Sequence, residues 1–221
     1  MILLVPIGVL LVFAVVVGLS IANSGPETGD GSAPSDGERA VEREADRLRA
    51  EFAKRDKRQV EDLTGTARRA SESLAPALEE MSEYLPADEA SANQVANQET
   101  VESWKDAARE ADEEFGDPPS GETATNVACG SLDAAVDTFA SAVRTYETAA
   151  ALPADERRPV LERASEARDL TIRVWSVGAT QLDAVNVEAG NGHQHVFLPA
   201  NGVGGAFTAD PASEGNGASE N

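Results

Sequence analysis

The only two histidines of this 221-residue chain, His193 and His195, are separated by one residue. In an extended segment, residues two apart point to the same side, so this spacing presents both imidazoles to one Zn²⁺ or Cu²⁺ ion. A third ligand has to come from Glu188, Asp210 or an acidic residue of the helices. Because the surrounding segment is polar and rich in Gly, the competing interpretation is a pair of solvated imidazoles. His193 and His195 are therefore the candidate metal ligands of this chain.

The sequence gives little support for a catalytic site or for a metal centre within the helices. Cys129 is the only cysteine, which excludes an intramolecular disulfide. Its position on an apolar helical stripe predicts a buried thiol, with a bridge between two chains as the alternative, and works against a nucleophilic role. Acidic clusters at 79–83 and 110–114 lack the Glu-x-x-His pairs of di-iron bundles, so we interpret them as solvated surfaces. The basic run at 54–58 is interpreted as a charged helix face. We expect no catalytic residues and no cofactor, and hence no enzyme.

The charge of the chain bounds its partners. Its 39 acidic and 18 basic residues give a net charge of -21, which argues against nucleic acid and against anionic lipid surfaces. Residues 38–70 are an exception at +2, whereas residues 71–122 carry -13. The first helix therefore has the surface that can lie against this acidic stretch, within one chain or between two.

The N-terminal residues predict a membrane anchor. Residues 1–21 contain no charged side chain and, as a helix, span about 30 Å, which matches the hydrocarbon core of a bilayer. We expect a transmembrane signal-anchor helix at 1–22 and a flexible linker at 23–37. With no basic flank before the helix, we place the bulk of this single-pass protein on the extracytoplasmic side. The alternative is cleavage near Ala22, which would give a secreted protein.

The remaining chain predicts an all-α fold, with a bundle of about four to five amphipathic helices at 38–187. Ser35 and Glu38 have the spacing of a capping box, so a helix should begin near Asp36. Two apolar runs then recur at spacings of three and four, displaced from each other by one residue, which predicts a bend or break near Gly65. The first run consists of Val41, Ala45, Leu48 and Phe52; the second of Val60, Leu63, Ala67, Ala70, Leu74, Ala77 and Met81.

Three further helices follow the same spacing. Pro76 predicts a kink or a new helix, and Leu85-Pro86 should end the second run. The later stripes are Val101, Trp104, Ala108, Ala111 and Phe115; then Cys129, Leu132, Val136, Phe139, Val143, Tyr146 and Ala150; and last Leu161, Ala164, Leu170, Val174 and Val177. The β-branched stretch 171–177 leaves a strand possible. Residues 188–221 are expected to form a Gly-rich loop, which can pack back on the bundle near 195–198, and a disordered acidic tail.

Five amphipathic segments on a tether, without a reaction centre, predict a membrane-anchored extracytoplasmic helical interaction or spacer protein. Its partners would be the membrane, through the N-terminal helix, and another protein or a second copy in a coiled coil. The alternative is an extracytoplasmic module that binds a small ligand in the bundle interior or a metal at His193 and His195.

Overall fold

The computed structural model of the chain describes residues 35–85, 95–116 and 121–199, and these ranges are all-α. The described residues form four helices: α1 at Asp36–Tyr84, α2 at Gln98–Phe115, α3 at Thr123–Ala150 and α4 at Ala154–Glu188. The prediction of an all-α bundle is confirmed. The stretch 171–177, for which a strand was possible, lies inside α4.

The predicted anchor at 1–22, most of the predicted linker, and the chain beyond residue 199 lie outside the described residues. Among the described helices, none combines the length and the apolarity needed to cross a membrane. The chain divides into two compact units, Met1–Asp46 and Arg47–Asn221. The first unit is described from Ser35 onward and contributes the first turns of α1. The second contains the rest of α1 and the other three helices.

The start of α1 is a capping box, as predicted. The backbone N–H of Ser35 donates to a Glu38 carboxylate oxygen at 2.7 Å, and the N–H of Glu38 donates to the Ser35 hydroxyl oxygen at 3.3 Å. Both N–H groups would otherwise lack a partner at a helix N-terminus. The first helical residue is Asp36, which is where the sequence placed it.

A bend or a break was predicted near Gly65, and the break is wrong, because α1 continues unbroken for 49 residues and also includes Pro76. A glycine costs a helix only about 1 kcal/mol, and the apolar side chains on both sides of Gly65 are buried in the core. Leu63 and Leu74 are both fully buried. Packing of this kind holds a helix together through unfavourable local residues. Within one continuous helix, a shift of one residue turns a side chain by about 100°, so the two apolar runs of α1 do not form one straight stripe.

Three of the predicted apolar stripes are buried in the core, and the prediction of the α4 stripe is partly wrong. All seven residues of the second α1 run and all five of the α2 stripe lie in the core, as do the first six of the α3 stripe. In α4, Leu161 and Ala164 are buried, but Leu170 and Val177 are exposed. The α4 core side instead carries Ile172, Trp175, Ala179 and Leu182. Thr171, Ser176 and Gly178 are also buried on this side, and they obscured the pattern because polar residues and glycine do not contribute to an apolar periodicity.

The α3–α4 contact depends on one of those small residues. A Cβ atom at Gly178 would lie 2.9 Å from Leu132 Cγ and 3.0 Å from the Leu132 backbone nitrogen. Only a residue without a side chain allows the two helices to approach so closely. The end of α3 is held from α4, where the Arg157 guanidinium donates to the carbonyl oxygens of Ala149 at 3.2 Å and Leu152 at 2.9 Å. A cation at these carbonyls satisfies acceptors that the helix itself leaves open.

Candidate functional site

The two histidines follow a reversal of the chain at the end of α4. Gly190 and Gly192 adopt positive φ angles of 77° and 71°, a region that side chains other than glycine rarely enter. Between them, the Asn191 backbone N–H donates to the Asn186 carbonyl at 2.8 Å, and the Asn191 amide donates to the Asn186 side-chain oxygen at 3.1 Å. Asn186 is itself buried and donates to Thr64 of α1 at 2.8 Å. The turn is therefore anchored in the bundle, and the chain returns along α4.

The returning segment is extended and packs on the bundle. Val196 and Leu198 are buried, and the indole N–H of Trp175 donates to the Val196 carbonyl oxygen at 2.6 Å. The expectation that this segment packs back on the helices is confirmed. It forms no strand with any other part of the described chain. Burial alternates along it, since Val196 and Leu198 face inward whereas His193 and His195 are exposed.

This alternation places the two imidazoles on one side, as their spacing suggested. The ring centroids of His193 and His195 are 6.0 Å apart, and the ring of Phe197 follows at 6.1 Å from that of His195. Residues two apart in an extended chain share a face. The two imidazoles therefore lie on the outward side of the returning segment, and the ring of Phe197, which is partly buried against the core, follows them.

Asp183 of α4 joins the two histidines. Its Oδ2 atom lies 2.9 Å from His193 Nδ1, and its Oδ1 accepts the backbone N–H of Gln194 at 2.6 Å. Potential ligand atoms of Asp183, His193 and His195 all lie within 4.8 Å of one another. The predicted candidates for a third ligand were Glu188, Asp210 and an acidic residue of the helices. An acidic helix residue, Asp183, is the one that lies beside the two histidines. Glu188 is exposed and does not belong to this group, while Asp210 lies outside the described residues.

Asp183 was not named among the metal ligands predicted from the sequence. Its position ten residues before His193 becomes meaningful only when α4 is known to end at Glu188 and the chain to reverse there. Gly190 and Gly192 were the available signal, because glycines after a helix often mark a reversal. The site requires this turn, since Asp183 and the histidines belong to different elements.

Cys129 lies elsewhere, on α3, and is buried as predicted. Burial raises the pKa of its thiol, and the carboxylate of Asp133 raises it further. A thiol in this environment is a poor nucleophile. The structure does not bring Cys129 into the group formed by the two histidines.

The acidic clusters take part in contacts between helices. Glu80 accepts the indole N–H of Trp104 at 2.9 Å, and Glu114 pairs with Arg69 at 2.7 Å. Glu110 accepts the Ser73 hydroxyl at 3.3 Å. The pairing of Arg69 with Glu114 agrees with the expectation that the mixed first helix lies against the acidic stretch. Over the described ranges, Asp183 and the two histidines are the one group of three ligand-type residues close enough to share an ion.

The interior of the bundle is occupied by large side chains. Trp104, Trp175, Tyr146 and Phe139 are fully buried. The Tyr146 hydroxyl oxygen accepts the backbone N–H of Ala96 at 2.8 Å, and burial raises the pKa of this phenol. An open groove of about 490 Å³ lies between α2 and α3, and it is lined by charged side chains that include Lys105, Arg109, Asp112 and Glu147.

The large side chains of the first apolar run of α1 are exposed, although the sequence left open whether this run is covered within one chain or by a second copy. Val41, Leu48 and Phe52 have relative exposures of 69%, 42% and 52%. The Arg55 guanidinium lies 5.1 Å from the centroid of the Phe52 ring and covers one face of it.

Comparison of this chain with protein families, curated proteins and solved structures yields no match. Evidence of its function therefore comes from its own residues.

Proposed function

We propose that this protein is a membrane-anchored extracytoplasmic interaction protein without enzymatic activity, in which the N-terminal part of α1 pairs with a second copy of itself. The single observation that carries the proposal is the exposure of Leu48 and Phe52. They continue, at spacings of three and four, the run that begins with Val41 and Ala45. This is the spacing of the seam positions in a coiled coil.

Exposure distinguishes this run from the second run of α1 and from the α2 stripe, whose residues are all buried. Large apolar side chains at coiled-coil spacing are removed from water wherever a partner helix is present, and each contributes about 1.5–3 kcal/mol when fully buried. From Asp36 to Arg58, all but two side chains of α1 are exposed. Local pairs such as Arg47–Glu51, at 3.1 Å, support the helix here. Such exposed pairs contribute only about 0.3–0.5 kcal/mol each.

Charge favours a second copy as the occupant. Residues 36–58 contain eight basic and seven acidic side chains, a net charge of +1, in a chain whose total is -21. Acidic and basic residues are interspersed along this stretch, so an identical helix meets both signs of charge across the seam. A generic basic partner would instead be drawn to the acidic surfaces elsewhere on the protein.

The membrane anchor makes such a pairing effective. Two heptads are short for a coiled coil, and a helix pair of this length is weak when both chains diffuse freely. Residues 1–22 and the linker that follows are proposed to hold the chains on the extracytoplasmic face of one membrane. Confinement raises the effective concentration of each chain for the other. Cleavage near Ala22 would release a secreted protein and weaken the pairing.

Cysteine cross-linking of the full-length chain tests the pairing. In a Cys129→Ser background, a Leu48→Cys substitution places a thiol on the proposed seam. Mild oxidation in membranes should give a covalent dimer, because seam residues of two paired helices approach within disulfide distance. Ala50→Cys is the matched control, since residue 50 is also exposed and lies about 200° around the helix.

A Phe52→Glu substitution in the Leu48→Cys chain should abolish the dimer, because it places a charge in the seam. Equal cross-linking from positions 48 and 50 would show random collision and overturn the proposal. A product of Leu48→Cys joined to a different protein would replace the second copy by a heterologous partner. Alkaline extraction of membranes tests the anchor separately: a chain released in full would contradict it.

A further inference from the structure

We propose that Asp183, His193 and His195 form a binding site for a divalent transition-metal ion of the Zn²⁺ type. This site is separate from the proposed pairing of α1 and does not depend on it. Its basis is the convergence of one carboxylate and two imidazoles, from two different elements, at the reversal that follows α4.

The distances suit a shared ion. Ligands of a tetrahedral Zn²⁺ ion at about 2.0–2.2 Å from the metal lie roughly 3.3–3.5 Å from one another. One potential ligand atom of each residue lies within 4.8 Å of the other two, and Asp183 Oδ2 lies 2.9 Å from His193 Nδ1. The three side chains are therefore close enough to converge on one ion when they rotate.

The backbone around the site is fixed by contacts that do not involve a metal. The second oxygen of Asp183 accepts the Gln194 N–H at 2.6 Å, which orients the carboxylate toward His193. On the other side of His195, the Val196 carbonyl is held by the indole of Trp175 at 2.6 Å. Hydrogen bonds that orient ligands in this way are a regular part of protein metal sites. The cost of ordering the segment is thus met by folding rather than by metal binding.

The ligand types select the ion. Two imidazole nitrogens and one carboxylate oxygen suit Zn²⁺ and Cu²⁺, whereas Mg²⁺ and Ca²⁺ prefer ligand sets made of oxygen. Side-chain exposure is 61% for His193 and 21% for Asp183, so solvent reaches the site. Three protein ligands on an open surface leave a further coordination position for water or for a fourth ligand.

Calorimetric titration of the full-length, chelator-treated chain with Zn²⁺ tests the site. We expect saturable binding of one ion per chain. Asp183→Asn, His193→Gln and His195→Gln should each weaken binding by at least about tenfold, since each removes one direct ligand. Asp183→Asn keeps an oxygen that can accept the Gln194 N–H, and far-UV circular dichroism checks that each variant remains folded.

Glu188→Gln is the matched control, because it removes the same charge from an exposed residue near the end of α4 and outside the proposed ligand set. It should leave Zn²⁺ affinity unchanged. Mg²⁺ tests for nonspecific attraction to this acidic protein and should not compete with Zn²⁺ at tenfold excess. Equal loss of binding in Glu188→Gln, effective competition by Mg²⁺, or native affinity in any one of the three ligand variants would overturn the three-residue site.

Nitrogen ligation has a second readout that does not depend on affinity. Electron paramagnetic resonance of the Cu²⁺-loaded chain should show superhyperfine coupling to two imidazole nitrogens. The coupling should reduce to one nitrogen in His193→Gln and in His195→Gln. A spectrum that both substitutions leave unchanged would place the ion elsewhere and refute the assignment.

Discussion

The two parts of α1 share a sequence pattern and differ in what covers it. Both present apolar residues at spacings of three and four, but Leu63 and Leu74 are fully buried whereas Leu48 and Phe52 are about half exposed. The buried part also contacts other helices, through Arg69 with Glu114 and through Thr64 with Asn186. Periodicity thus shows that a helix has an apolar side, and the neighbouring elements decide whether that side meets the core.

Thiol accessibility gives the largest expected contrast between buried and exposed helix positions. Cys129 should react with a thiol reagent about two to three orders of magnitude more slowly than the cysteine in a Cys129→Ser/Leu48→Cys chain, because it is protected by folding and its pKa is raised. The measurement is the rate of labelling under native conditions, at protein concentrations too low for pairing of α1. Denaturant should abolish the difference. Comparable native rates at the two positions would mean that α3 opens locally or that residue 48 is covered.

Truncation of leucine compares the two parts of α1 directly. Leu74→Ala should lower the free energy of unfolding by about 2–5 kcal/mol, because it leaves a cavity in a packed core. Leu48→Ala should change it by no more than about 0.5 kcal/mol at protein concentrations too low for pairing. Urea denaturation followed by circular dichroism measures both. A large loss from Leu48→Ala under these conditions would show that this side chain is packed within one chain.

Two glycines extend the contrast to the α3–α4 contact. Gly178→Ala should destabilise the protein by about 1–3 kcal/mol, since the new methyl group would overlap Leu132. Gly130→Ala, where a Cβ atom meets nothing within 4 Å, should stabilise it by roughly 0.5–1 kcal/mol through helix propensity. Thermal unfolding distinguishes the two. Shifts of the same sign would indicate that α3 and α4 separate enough to admit a side chain.

The smallest expected effect is the pH response at the start of α1. The hydrogen bond from the Ser35 backbone lowers the pKa of the Glu38 carboxyl below its ordinary value of 4.5. Its contribution is therefore present above pH 4.5 and is lost as the pH falls through the lowered pKa. Amide proton shifts of the first turn should follow this titration, while the core remains unchanged. A Glu38→Gln chain should show no such transition, and an identical transition there would assign it to another group.

Much of the fold was predictable from particular residues. The capping box fixed the start of α1, and the core stripes of α2 and α3 followed from spacing alone. The prediction of the α4 stripe failed after Ala164, because Ser176 and Gly178 are buried while the larger Leu170 and Val177 face solvent. The predicted break near Gly65 does not occur, because core packing on both sides outweighs the low helix propensity of glycine. Half of the candidate site was predictable, since two histidines in an extended chain share a side.

The order of residues alone predicts a helical chain, the start of α1, the burial of Cys129 and two imidazoles on one side of the chain. These properties depend on residues within one or two turns of each other. The contact of Asp183 with His193 and the exposure of Leu48 and Phe52 follow instead from the tertiary structure. Both outcomes depend on which elements become neighbours. That is settled by the free energy of packing the whole bundle, which no local pattern contains.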